Sequence, residues 1–149
     1  MKARENDYLK YWRVIRYYYK MKYKLTQADL DILLFLYSEV YFDRDKFNEF
    51  DELLSWEKAR FERLRRNGWI AVFRRRMGAR KAVYQMTPRA VRLVTEIYKK
   101  LDGSEIPVSN SYNPMFLKNV KYTDKVYRKM IIDMNTFIRQ QRHQTPEQE

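Results

Sequence analysis

Between Lys58 and Lys81 the chain carries ten basic side chains against one Glu62: Lys58, Arg60, Arg63, Arg65, Arg66, Arg74, Arg75, Arg76, Arg80 and Lys81, a local charge of +9. Side chains of this type at this density are suited to gripping phosphate. Arginine presents a planar fork of donors that matches a phosphate or the edge of a guanine. Mutual repulsion held in one place is relieved by a polyanion. The charge is also segregated, since residues 25–57 carry two basic and nine acidic side chains, a net −7, within a chain whose total is +12. Such a division marks a face meant for phosphate more often than a uniformly solvated surface.

Other chemistry has little to work with. The single histidine, His143, falls in a predicted disordered tail, so a histidine-based triad or metal site is not expected. The carboxylates Asp43, Asp45, Glu49, Asp51 and Glu52 match no metal-loop spacing and read as a solvated helix face. Three scattered glycines cannot form a phosphate-binding loop, and there is no cysteine for disulfide or thiolate chemistry. Neither an enzyme nor a bound cofactor is expected.

The elements that must position the basic residues are readable from local signals. Ser55 is placed to cap a helix running to Asn67, with Trp56, Phe61 and Leu64 inward and Gly68 as its stop. On that helix Lys58, Glu62, Arg65 and Arg66 take the open side, and Arg60 and Arg63 the flanks. Residues 69–73 read as a strand, residues 81–86 as its return, and Gly78 marks the hairpin tip. In a strand, Arg75 points opposite to Arg74 and Arg76. Thr87-Pro88 opens another helix, whose stripe of Val91, Val94, Ile97, Tyr98 and Leu101 ends at Asp102-Gly103. A basic helix followed by a basic hairpin is the order of a winged helix.

Upstream, Thr26 and Asp29 form a capping box for a helix to about Tyr41, apolar nearly all round and therefore buried. Residues 43–54 follow as a shorter helix with Phe47, Phe50, Leu53 and Leu54 inward. The ends of the chain read as helices over 7–24 and 114–141, joined to the 25–101 core within one domain of residues 1–149, with a polar linker at 104–113 and a tail at 142–149. The apolar stripes of these helices, Tyr8, Trp12, Ile15 and Tyr19 at one end and Tyr127, Met130, Ile131, Met134, Phe137 and Ile138 at the other, are the expected homodimer interface. The tyrosine-rich first helix is also where a small aromatic effector would bind, although core and dimer packing are commoner uses of such residues.

The composition, 45% hydrophobic and 16% aromatic, is that of a globular domain rather than a basic tail. No apolar run approaches the roughly 20 residues that span a bilayer, and no signal peptide is visible at Met1, so a cytoplasmic protein without a membrane partner is expected.

From Leu64 to Leu101 the pattern Leu-x-x-x-Gly-Trp-Ile, basic hairpin, Tyr-x-Met-Thr-Pro-x-Ala-x-x-Leu-Val resembles the MarR family of winged-helix transcriptional regulators. Leu25-Thr26 resembles that family's entry to its second helix. Three features differ: the hairpin lacks the aspartate that normally precedes its basic residues, Ala90 stands where a glycine is common, and Trp56, Phe61 and Leu64, five and three apart, fit the family's spacing before Gly68 poorly, as if the recognition helix were about a turn shorter. The resemblance implies a mainly α fold with a small β-hairpin wing and long dimerisation helices at both ends. It implies a homodimer on a pseudo-palindromic duplex, with a recognition helix in the major groove and an arginine-rich wing on the backbone or minor groove. Replication or partition in a plasmid or phage is the alternative use of such a DNA-binding module. A protein-interaction module with an incidental basic wing is a third.

Overall fold

The computed structural model describes residues 8–109 and 111–144. Among them are six α-helices, α1 Tyr8–Tyr23, α2 Gln27–Tyr37, α3 Arg44–Leu54, α4 Arg60–Arg66, α5 Pro88–Leu101 and α6 Tyr122–Gln144. Three short strands, β1 Tyr41–Phe42, β2 Ile70–Arg74 and β3 Val83–Met86, form one antiparallel sheet in the order β1-β3-β2. The chain is therefore mainly helical with a small sheet, an arrangement consistent with a winged helix. It divides into two compact units, one spanning Leu25–Glu96 and one made of the flanking segments through Lys24 and from Ile97.

In the first unit the caps expected at Thr26 and Gly68 form. The Asp29 amide donates to Thr26 Oγ1 at 3.1 Å, and the Thr26 amide donates to the Asp29 carboxylate at 3.3 Å. At the end of α4, Gly68 takes φ +83, and the Trp69 and Gly68 amides donate to the Leu64 and Arg65 carbonyls at 2.9 and 3.2 Å. This paired closure needs a residue free to enter positive φ, which glycine does without penalty. Thr87 then links the helix stop to the end of the hairpin, its hydroxyl donating to the Gly68 carbonyl at 2.6 Å and accepting the Ala90 amide at 3.2 Å.

Two helix boundaries of this unit differ from the sequence expectation. Helix α2 ends at Tyr37 rather than near Tyr41, because Tyr41 and Phe42 are drawn out to pair with Gln85 and Tyr84 of β3. The turn that makes this possible is tight. The Tyr41 amide reaches the Glu39 carbonyl at 2.7 Å across Val40, which sits at φ +66. A γ-turn with positive central φ is strained, more so at a β-branched residue. Strain of about 1–3 kcal/mol offsets what a Val→Gly change normally loses in chain entropy. Val40→Gly is therefore expected to leave thermal stability unchanged or slightly raised, and a loss above about 1 kcal/mol in a denaturation midpoint would refute the strain. The second boundary is the start of α4, which lies at Arg60 instead of Ser55; Ser55 closes α3, its amide donating to the Asp51 carbonyl at 3.0 Å. Leu53, expected inward, is exposed, while Phe47 is buried and Phe50 and Leu54 are half-buried.

In the second unit, α1 buries Tyr11, Val14, Ile15, Tyr18 and Tyr19, and α6 buries Ile131, Met134 and Ile138. Tyr17 stacks on Tyr127 with ring centroids 3.9 Å apart and planes 3° from parallel. Its hydroxyl donates to the buried Asp124 carboxylate, and Arg13 Nε donates to the Tyr127 hydroxyl at 3.1 Å. Burial, followed by the hydrogen bond to Asp124 and the charge of that carboxylate, pushes the Tyr17 phenol up to about 12. The segment at 104–113, read as a free polar linker, is instead anchored. Asn135 of α6 accepts the Ile106 amide at 3.0 Å and donates to its carbonyl at 2.8 Å, and Ile106 is buried. Buried Asn113 donates to the Pro107 carbonyl at 2.8 Å and caps a 3-10 turn at Pro114–Phe116.

The expected dimer residues fall into two groups. Ile15, Tyr19, Ile131, Met134 and Ile138 are buried within a single chain, because their stripes pack inward, and they are not available to a second copy. Tyr8 and Met130 are exposed, and Trp12, Tyr127 and Phe137 are half-buried. Tyr122, Val126 and Met130, four residues apart along α6, form an exposed apolar row that the sequence reading missed apart from Met130. Helix α6 starts at Tyr122 rather than at 114, where only the 3-10 turn forms, and continues through Gln144, so His143 lies in it rather than in a tail; the rest of the expected tail, 145–149, is outside the described residues.

Candidate nucleic-acid interface

The hairpin is built by local chemistry. Strand β2 pairs with β3 from Ile70↔Met86 to Arg74↔Val83, with a bulge between Val72 and Arg74. At the tip, Met77 and Arg80 exchange amide–carbonyl bonds of 3.1 and 2.9 Å around Gly78-Ala79. Gly78, at φ +58, occupies the first central position, the arrangement of a II′ turn. Arg76 Nε donates to the Gly78 carbonyl at 3.2 Å, which holds that side chain along the turn. Arg75, Arg76, Arg80 and Lys81 are all exposed. Arg74 is half-buried beside the bulge, and its buried Nε has no hydrogen-bond partner. Lys81 pairs with Asp45 of α3 in the open, and the hydrogen bond it donates to that carboxylate raises the lysine above its ordinary range. An exposed pair of this kind is weakly held.

Helix α4 presents Arg65 and Arg66 to solvent, with the Arg65 guanidinium 5.8 Å from the centre of the Tyr84 ring of β3. Lys58, just before the helix, is also exposed. Phe61 and Leu64 face inward as predicted, Phe61 meeting Phe47 and Tyr84 edge to face at 5.0 and 4.9 Å.

Arg60 and Arg63 are not part of this surface. Arg60 is only 4% exposed. Its Nε donates to Asp29 at 2.9 Å, one terminal nitrogen donates to Asp51 and to the Ser55 carbonyl, and the other lies 3.1 Å from Glu57. Arg63 donates to Asp29 at 2.7 Å and to Glu57. Three carboxylates and two guanidiniums thus join α2, α3 and α4. Burial works against the charge on Arg60, but hydrogen bonds to Asp51 and Asp29 outweigh it and raise the group above its ordinary value. The hydrogen bond to Glu57, against some desolvation, raises Arg63 in the same direction. Glu57 is correspondingly held below the usual carboxylate range, chiefly by its hydrogen bond from Arg63. Two of the ten basic residues read as DNA-binding are therefore structural. Asp51, read as part of a solvated acidic face, is buried as the partner of Arg60, whereas Asp45 remains exposed.

Trp56, expected in the core, is instead 61% exposed in the connection between α3 and α4. Nothing in its residue type signals this, since tryptophan is usually largely buried. Among the described residues no group of three or more His, Cys, Asp or Glu is placed to hold a metal ion. No helix among them is long and apolar enough to cross a membrane.

No family model matches the sequence, and no curated protein matches it. Among solved structures, the chain is similar to AbfR in the structure described as "Structure of Disulfide formed AbfR", at 16% identity and a TM-score of 0.45, over 85% of this chain and 80% of that one. At that score the likeness does not identify a family. The present chain contains no cysteine.

Proposed function

We propose that the protein is a sequence-specific duplex DNA-binding transcriptional regulator of the MarR-like winged-helix kind, acting in the cytoplasm and without catalytic chemistry. The carrying observation is the side chains left exposed once the structural ion pairs are set aside: Lys58, Arg65 and Arg66 at α4, and Arg75, Arg76 and Arg80 on the hairpin. A helix of α4's diameter enters a major groove, and arginine is the usual reader of guanine there. The hairpin arginines reach the backbone or a narrow minor groove. Two copies, joined through the exposed residues of the terminal helices, would place two such surfaces on a pseudo-palindromic site.

The test is a titration with random-sequence duplex and with duplex from the protein's own promoter region, across a salt series. If half of these contacts touch phosphate in a dimer, the affinity falls with a log–log salt slope of roughly 5–6. Tighter binding to the promoter duplex is expected. An affinity insensitive to salt would refute the phosphate grip, and a monomer at micromolar concentration would refute the dimer.

A further inference from the structure

The ion-pair group at Arg60 has a geometric consequence beyond joining three helices: it clamps the chain on both sides of Trp56. On one side the Ser55 amide donates to the Asp51 carbonyl at 3.0 Å, and the Ser55 carbonyl accepts from Arg60. On the other side the Glu57 amide donates to the Asp51 carboxylate at 3.1 Å, and the Glu57 carboxylate is held by Arg60 and Arg63. The residue between them is the most exposed of the three tryptophans; Trp69 is buried and Trp12 half-buried. An exposed indole on a fixed backbone offers a large, rigid apolar face with one N–H donor, the kind of side chain that is enriched where one surface meets another.

Its surroundings fit one kind of cover. Lys58 follows two residues later, and Arg65 and Arg66 lie in the last turn of α4, the helix that this connection leads into. The neighbouring carboxylate of Glu57 is turned to Arg60 and Arg63, so the one negative charge left over in this group of three carboxylates and two guanidiniums is shared among paired, largely inward-facing oxygens. We infer that Trp56 is a DNA-contacting anchor, its indole packing on the deoxyribose carbons and thymine methyls of a duplex bound by the adjacent basic residues. Duplex DNA offers such apolar groups beside its phosphates. Because both flanks are fixed beforehand, binding orders little that was free, so the buried indole area appears in the affinity. This inference rests on the DNA-binding reading above.

The experiment uses full-length protein labelled with 5-fluorotryptophan, whose three fluorine resonances are assigned with Trp→Phe variants, titrated with a random-sequence duplex. On saturation the Trp56 resonance is expected to move and lose its solvent isotope shift. Trp56→Ala should weaken binding about tenfold and Trp56→Phe far less, as for aromatic contacts to nucleic acid. Circular dichroism melts of the variants are expected to stay close to the parent, since Trp56 is 61% exposed. Salt-dependent binding with a Trp56 resonance still exposed to solvent, or with unchanged affinity in Trp56→Ala, overturns the anchor and leaves the DNA-binding reading standing. Absence of duplex binding by the parent protein overturns both.

Discussion

Arg60→Met is expected to cost the fold about 3–5 kcal/mol, the loss typical when one member of a buried ion pair is removed. The side chain lies with Asp29 and Asp51, both themselves buried, and methionine keeps most of its volume while leaving the two carboxylates without their main counter-charge. Set against a total stability of about 5–15 kcal/mol for an ordinary domain, that is enough to shift a urea midpoint strongly. Combining Arg60→Met with Asp29→Asn and Asp51→Asn should restore much of the loss, because the uncompensated charges go with the arginine. Failure of the triple variant to recover would mean that the hydrogen bonds, rather than the charges, carry the stability. The same group shapes the acid limb. Glu57 has its folded-state carboxyl lowered, so its contribution is present above the ordinary carboxylate range and is lost as pH falls through the lowered value.

The parts of this unit that are legible in the sequence are those decided within a few residues. Thr26 with Asp29, Gly68 after α4, Gly78 at the tip and Thr87-Pro88 at the next helix each satisfy a local backbone requirement. Each therefore appears where the residue type says it should. Strand β1 is not legible, because Tyr41-Phe42 is only two residues long and exists by pairing with residues more than forty positions away. Arg60 is misread for a related reason. Its charge is visible in the sequence, but its partner Asp29 stands 31 residues earlier and already has a visible local role as a cap. Aspartate at that capping position, where glutamate or glutamine is usual, is the one signal that could have prompted a search for a second partner. Trp56 inverts the same lesson: its apolar type predicts burial, and only the clamp around Asp51 and Glu57 turns it outward. Charge density marks the basic segment in the sequence, while the division of its arginines between structure and surface is a tertiary property.

That division makes the hairpin the sharpest test of function. Reversing Arg75, Arg76 and Arg80 together to glutamate is expected to reduce duplex affinity by at least about 100-fold at low salt, since like charges set against phosphates cost several kcal/mol. All three side chains are exposed, and only Arg76 has a bond in the turn, to the Gly78 carbonyl, so the melting temperature should stay close to that of the parent. The neutral triple alanine variant separates phosphate contact from general repulsion. Each lost contact lowers the salt slope by about 0.9, so a shallower slope identifies arginines that displaced counterions. Lys81→Ala provides the internal contrast, because that lysine is paired with Asp45. Freeing the carboxylate near the wing should weaken binding only modestly, and less than any single arginine of the three. If the glutamate triple variant remains folded and binds duplex as the parent does, the hairpin is not a phosphate grip. The exposed aromatic residues of α1 and α6 would then be the place to look for a protein partner instead.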